Sequence, residues 1–123
     1  MPSYPVLQPN GKIAVWSTVV DHFMALDCEP GEAIDELCIR YPDRTDVTRV
    51  VSAVERGEMP YNHWWLWWKC LAWAIFRFGE DDETVRLAIS ITPDMTETRT
   101  YLAEMLEDLA ANEAEYARQE VPA

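Results

Sequence analysis

The chain has 123 residues, 22 acidic against 10 basic side chains for a formal net charge of -12, and a hydrophobic fraction of 49%. That length suits one domain over 1–123, and the apolar fraction excludes wholesale disorder. The negative charge repels phosphates, which makes nucleic acid a poor partner and a basic protein a better one.

Three widely spaced cysteines, Cys28, Cys38 and Cys70, form no disulfide framework. Residues 1–10 hold no basic start followed by an apolar run, so a cytoplasmic location is expected. Asn10-Gly11 signals a turn ahead of a short strand over 12–16. Ser17 or Thr18 then caps a helix expected over 17–26, with Val19, Phe23 and Leu26 on one face. Pro30-Gly31 opens a second helix over 31–41, in which Ile34, Leu37, Cys38 and Tyr41 follow the i, i+3, i+4, i+7 template until Pro42 ends it. Thr45 or Asp46 caps a third helix over 45–57, with Val47, Val50, Val51 and Val54 on one side and Gly57 closing it. Residues 17–57 are therefore expected to be a three-helix unit.

After Pro60, five of the six tryptophans fall within ten residues, and the spacing predicts a Trp-rich helix over 62–78. Trp64, Trp68, Leu71, Ile75 and Phe78 form one apolar face, with Trp67 and Ala74 at its edge. Trp65, Leu66, Trp73 and Phe76 make the other side apolar too, interrupted by Lys69 and Arg77, whose charges suit cation–π contacts with the flanking rings. A span of roughly 20 apolar residues would be needed to cross a membrane, and this run is shorter and carries Lys69 in its middle. A helix apolar on all sides has to be covered on more than one of them. The expectation is a central core helix, with Trp65, Leu66, Trp73 and Phe76 as the interface of a homodimer.

Gly79 and the acidic run 80–83 read as a loop, and the alternation of Val85, Leu87, Ile89 and Ile91 predicts a strand over 85–91. Pro93 stops it, and an acidic amphipathic helix follows over 95–118, with Leu102, Met105, Leu106, Leu109 and Tyr116 as its inward stripe. Glu97, Glu104, Asp108 and Glu115 stand at i, i+7, i+11 and i+18, which aligns them in a straight ridge. From Asp94 onward there are eight acidic residues against Arg99 and Arg118, a net of -6 and half of the excess charge. Such a ridge serves solubility or the capture of a basic partner.

Catalytic signatures are missing: the chain has no Gly-rich phosphate loop, no G-x-S-x-G, no H-E-x-x-H and no C-x-x-C. No catalytic residue, cofactor or metal is expected. A small enzyme or metal protein built on His22, His63 and the cysteines is an alternative, although their spacings match no zinc framework. Another alternative is a helix-turn-helix-like DNA-binding regulator using Arg44, Arg49 and Arg56, with Arg49 and Arg56 opposite the valines of the third helix.

The stretch from Gly11 to Gly57, reading G-K-I-A-V-W-S-T-V-V-D-H-F, P-G-E-A-I-D-E-L, Y-P-D and V-T-R-V-V-S-A-V, resembles a family of small uncharacterised bacterial domains that includes antitoxin-like proteins of VapB type. The resemblance implies a short strand followed by helices, and an antitoxin-like or inhibitor-like role. Taken together, the residues predict a mainly α fold with a minor β component and a non-enzymatic, acidic protein-binding module.

Overall fold

The computed structural model describes residues 3–58 and 66–120, with side chains to residue 115. Among these the chain forms strands β1 (Ser3–Leu7), β2 (Ile13–Ser17) and β3 (His22–Cys28), then helices α1 (Pro30–Cys38), α2 (Arg44–Glu55), α3 (Trp67–Phe78), α4 (Glu83–Ser90) and α5 (Thr96–Glu120). The fold is mainly α with a small antiparallel sheet in the order β1-β2-β3. No helix of the described residues is long and apolar enough to cross a membrane.

Every residue of β2 is buried, because alternate side chains of a strand point to opposite faces and both faces of this sheet are covered. Ala14 and Trp16 join Val6 and Phe23 in a cluster with α3 and α4. Ile13 and Val15 join Cys28 in a second cluster with Ala33 and Leu37 of α1 and Val47, Val51 and Val54 of α2. The Asn10-Gly11 turn closes the first hairpin, with Gly11 at φ +84 and its N–H donating to the Gln8 carbonyl at 3.0 Å.

Two elements correct the sequence reading. Residues 17–26 are not a helix, so 17–57 is a hairpin followed by two helices rather than a three-helix unit. The register explains the deception. Trp16 faces Phe23, Val15 faces Ala25 and Ile13 faces Cys28, so β3 carries an extra residue at each of two irregularities. Each bulge shifts the alternation by one position, which puts Phe23 and Leu26, three apart, against the same cluster and imitates helical spacing. Asp27, at φ +54, sits in the second of these irregular stretches. Residues 85–91, expected as a strand, lie in α4 and its cap. The Asp82 side chain accepts from the Val85 N–H at 3.0 Å and caps that helix; Val85 and Ala88 are buried, whereas Leu87 is 50% exposed.

The helices expected near 31–41, 45–57 and 95–118 correspond to α1, α2 and α5. In α1 the Glu29 N–H donates to Glu32 Oε1 at 3.0 Å, closing the first turn behind Pro30. In α3 the buried face is Trp67, Cys70, Leu71, Ala74 and Ile75. Leu71 and Ile75 of the expected face and Trp67 and Ala74 of its edge are thus buried, but the face is rotated toward that edge: Trp68 is half-buried and Phe78 is 43% exposed. The rotation follows from Trp67, which fills the cluster against Phe23 at 4.9 Å between ring centroids. Residues 59–65, with Trp64 and Trp65 among them, lie outside the described residues.

Candidate functional site

α5 begins where Asp94 accepts from the N–H and hydroxyl of Thr96, at 2.9 and 2.6 Å. These bonds hold the Asp94 carboxyl below its ordinary range, so it is anionic at neutral pH. The first turns of α5 lie against α3. Thr98 is fully buried, and its hydroxyl donates to the Trp68 carbonyl at 3.1 Å. Tyr101 meets the Trp68 ring edge-on at 5.5 Å, and Lys69 Nζ stands 5.7 Å from the centre of the Tyr101 ring. Of the rings expected beside Lys69, Trp65 lies outside the described residues; Tyr101, across the helix pair, is a neighbour the sequence reading did not name. Leu102 packs on the α3 and α4 cluster.

From Ala103 to Glu115 every residue except Met105 is exposed. Leu106 and Leu109, expected to face inward, are 51% and 42% exposed, because nothing among the described residues extends far enough to cover them. The side chain of Tyr116 lies outside the description.

The ridge residues Glu97, Glu104, Asp108 and Glu115 are all exposed. Their alignment is the distinguishing feature: Glu36, Glu55, Asp81, Glu83, Glu107 and Glu113 likewise make no ion pair among the described residues, while several acidic groups elsewhere are matched. Glu29 pairs with Lys12 at 3.0 Å, Asp35 with Arg44 at 2.8 Å, Asp21 with Arg77 at 3.5 Å and Glu80 with Arg99 at 3.3 Å. Asp27 accepts from Gln8 and Asn10 at 2.7 and 3.0 Å, which lowers its pKa. None of the four ridge carboxylates has such a partner among the described residues.

Beside the start of the ridge lie two concavities. The larger, of about 520 Å3, runs between Leu7 and Pro9 of the first hairpin, Leu66, Trp67 and Trp68 at the start of α3, and the Thr92–Glu97 connection. Its walls are fixed: Trp67 Nε1 donates to Thr92 Oγ1 at 2.9 Å, and the buried Gln8 side chain bridges Asp27. The smaller, of about 240 Å3, is lined by Trp68, Thr96, Glu97, Thr100, Tyr101 and Glu104. Trp68 and Glu97 belong to both. Sequence reasoning placed Trp68 in the core and passed over Tyr101. The legible signal was spacing, since Tyr101 stands four residues after Glu97 and three before Glu104, within reach of both on a helix.

The other predicted groups are dispersed. Leu66 is exposed and lines the larger groove, Trp73 and Phe76 are half-buried with rings 6.0 Å apart, and Trp65 lies outside the described residues. Arg44, Arg49 and Arg56 each face a carboxylate, from Asp35, Asp46 and Glu58 respectively, so they present paired charge rather than the clustered positive charge that phosphate contact needs. His22 pairs with Asp82 at 3.0 Å and stacks on Phe78 at 4.2 Å. Cys28 and Cys70 sit in different clusters, and burial raises the pKa of both thiols, the latter strongly, which opposes thiolate formation. Among the described residues no three His, Cys, Asp or Glu side chains converge on a metal position; His63 lies outside them. Comparison of the chain with family models, with curated proteins and with solved structures yields no match in any of the three.

Proposed function

We propose that the protein is a non-enzymatic acidic module, antitoxin-like or inhibitor-like, that binds a basic protein partner in the cytoplasm along Glu97, Glu104, Asp108 and Glu115. The observation that carries this reading is that Glu97, Glu104, Asp108 and Glu115, spaced to share one side of α5, are all exposed and make no ion pair among the described residues. Aligned like charges strain a helix slightly and raise the local field that steers a cationic surface into contact. Leu106 and Leu109 add apolar area next to the charge. Self-association as a homodimer is part of the same proposal, through the half-buried strip of Trp73 and Phe76.

The test is capture from an extract of the source cells by the full chain and by a Glu104→Lys, Asp108→Lys, Glu115→Lys variant. The wild type should retain a basic protein at low salt and release it as salt rises, and the variant should retain none. Equal retention by the variant overturns the proposal. Surface substitutions away from buried features shift stability by no more than about 0.5 kcal/mol each, so the variant's folding should be unimpaired.

A further inference from the structure

We propose that the two concavities joined at Trp68 form a recognition subsite for two neighbouring side chains of a protein segment: an arginine or lysine over Trp68 between Glu97 and Glu104, and an apolar side chain in the larger groove. This rests on the reading of the ridge as a partner-binding surface and gives it a sequence preference.

Shape and charge together select this occupant. The larger groove has apolar walls from Leu7, Pro9, Leu66 and Trp68 and a volume of about 520 Å3, within the range in which concave sites bury a bound group. Its acidic lining residues among those described are Asp94 and Glu97, both exposed. The smaller concavity sets two aromatic rings, Trp68 and Tyr101, beside two carboxylates, Glu97 and Glu104. Aromatic faces attract cations electrostatically, and a carboxylate on either side fixes the cation's position.

Lys69 already lies over the Tyr101 ring, so an incoming cation is directed to the Trp68 side. A metal ion is a poorer fit, because no third His, Cys, Asp or Glu among the described residues joins Glu97 and Glu104. A second copy of this chain is also a poorer fit, because at least six of the nine Lys and Arg side chains described are held in ion pairs. The subsite needs little reorganisation to bind. The Trp68 backbone is tied to Thr98, its ring rests against Tyr101, and Trp67 is bonded to Thr92.

The experiment titrates the full chain with blocked octapeptides containing Leu-Arg, Leu-Gln or Gly-Arg in an otherwise Gly-Ser background, followed by the indole N–H resonances of the tryptophans. The Leu-Arg peptide should move the Trp68 signal saturably. Replacing Arg by Gln should weaken binding by about tenfold, and replacing Leu by Gly by about three- to tenfold. Thr100→Lys, at an exposed position that lines the smaller concavity, should supply an internal competitor and weaken binding by about tenfold, whereas Lys69→Met should tighten it. If the peptide shifts the amides of Asp108 and Glu115 but not Trp68, or if Thr100→Lys binds within about twofold of wild type, the subsite is overturned while the ridge stands. If neither the ridge nor Trp68 responds to the Leu-Arg peptide, the subsite is overturned, and retention by the triple Lys variant decides the ridge separately.

Discussion

Between Thr96 and Leu102, α5 lays Thr98, Tyr101 and Leu102 against α3 and its cluster; from Ala103 to Glu115 the same helix leaves Leu106 and Leu109 exposed beside a row of carboxylates. Both stretches carry an amphipathic pattern, yet among the described residues only the first meets a surface that uses it. Apolar burial is the main source of helix stability in a protein, so the proximal turns anchor the helix and the distal turns persist by propagation. The lesson is that amphipathicity identifies a face able to pack and does not say whether the chain itself provides the mate.

That contrast breaks most visibly in the body. Leu71, fully buried on α3, truncated to Ala should cost about 3 kcal/mol in urea denaturation, whereas Leu109→Ala should stay within about 0.5 kcal/mol. Equal losses would mean that the distal turns are covered after all. Next comes the seam between α3 and α5. Thr98→Val keeps the shape and removes the hydrogen bond to the Trp68 carbonyl, for a loss of about 1 kcal/mol, and Thr100→Val on the exposed side should be silent.

A gentler probe is acid. Asp82 accepts from the Val85 N–H and pairs with His22, and the first of these contacts leads in holding its carboxyl below the ordinary aspartate range. A carboxyl with a depressed folded-state pKa stabilises the fold above its unfolded value, near 3.9, and the gain disappears as pH falls through the folded value. Stability of the wild type should therefore decline below about pH 4, and Asp82→Asn should flatten that limb in a pH series of thermal melts. The smallest stability effect belongs to Glu104, Asp108 and Glu115. Their reversal to Lys changes binding and leaves the melting temperature nearly where it was.

Local signals located α1, α2 and α5 because each has a start and a period, and α1 and α2 also a stop, that act over a few residues of the chain. Pro30 begins α1 and Gly57 takes a positive φ after α2, although the cap of α2 is Asp43, accepting from the Asp46 N–H, and not the expected Thr45 or Asp46, which lie in its first turn. The misreadings came where the same cues were ambiguous. Phe23 and Leu26 share a face three residues apart through a bulge rather than a helical turn. Leu87 alternates with Val85 and Ile89 in sequence yet points to solvent from α4, and the Asp82 cap that settles the matter resembles a plain acidic loop. As for the candidate site, the ridge was legible from spacing alone. The groove was not, since it exists only where the hairpin's Leu7 and Pro9 arrive beside Trp68 and Glu97.

The order of apolar and charged residues by itself determined that the chain folds mainly as helices, that half of its excess negative charge falls from Asp94 onward, and that Glu97, Glu104, Asp108 and Glu115 line up on one side of the last helix. Tertiary structure decided that the strand from Ile13 to Ser17 is the layer buried on both faces, which side of α3 turns inward, and which turns of α5 are covered by the other described residues. The physical reason is range. Propensity, capping and period act over a few residues, whereas burial and the alignment of groove walls depend on segments brought together from distant parts of the chain.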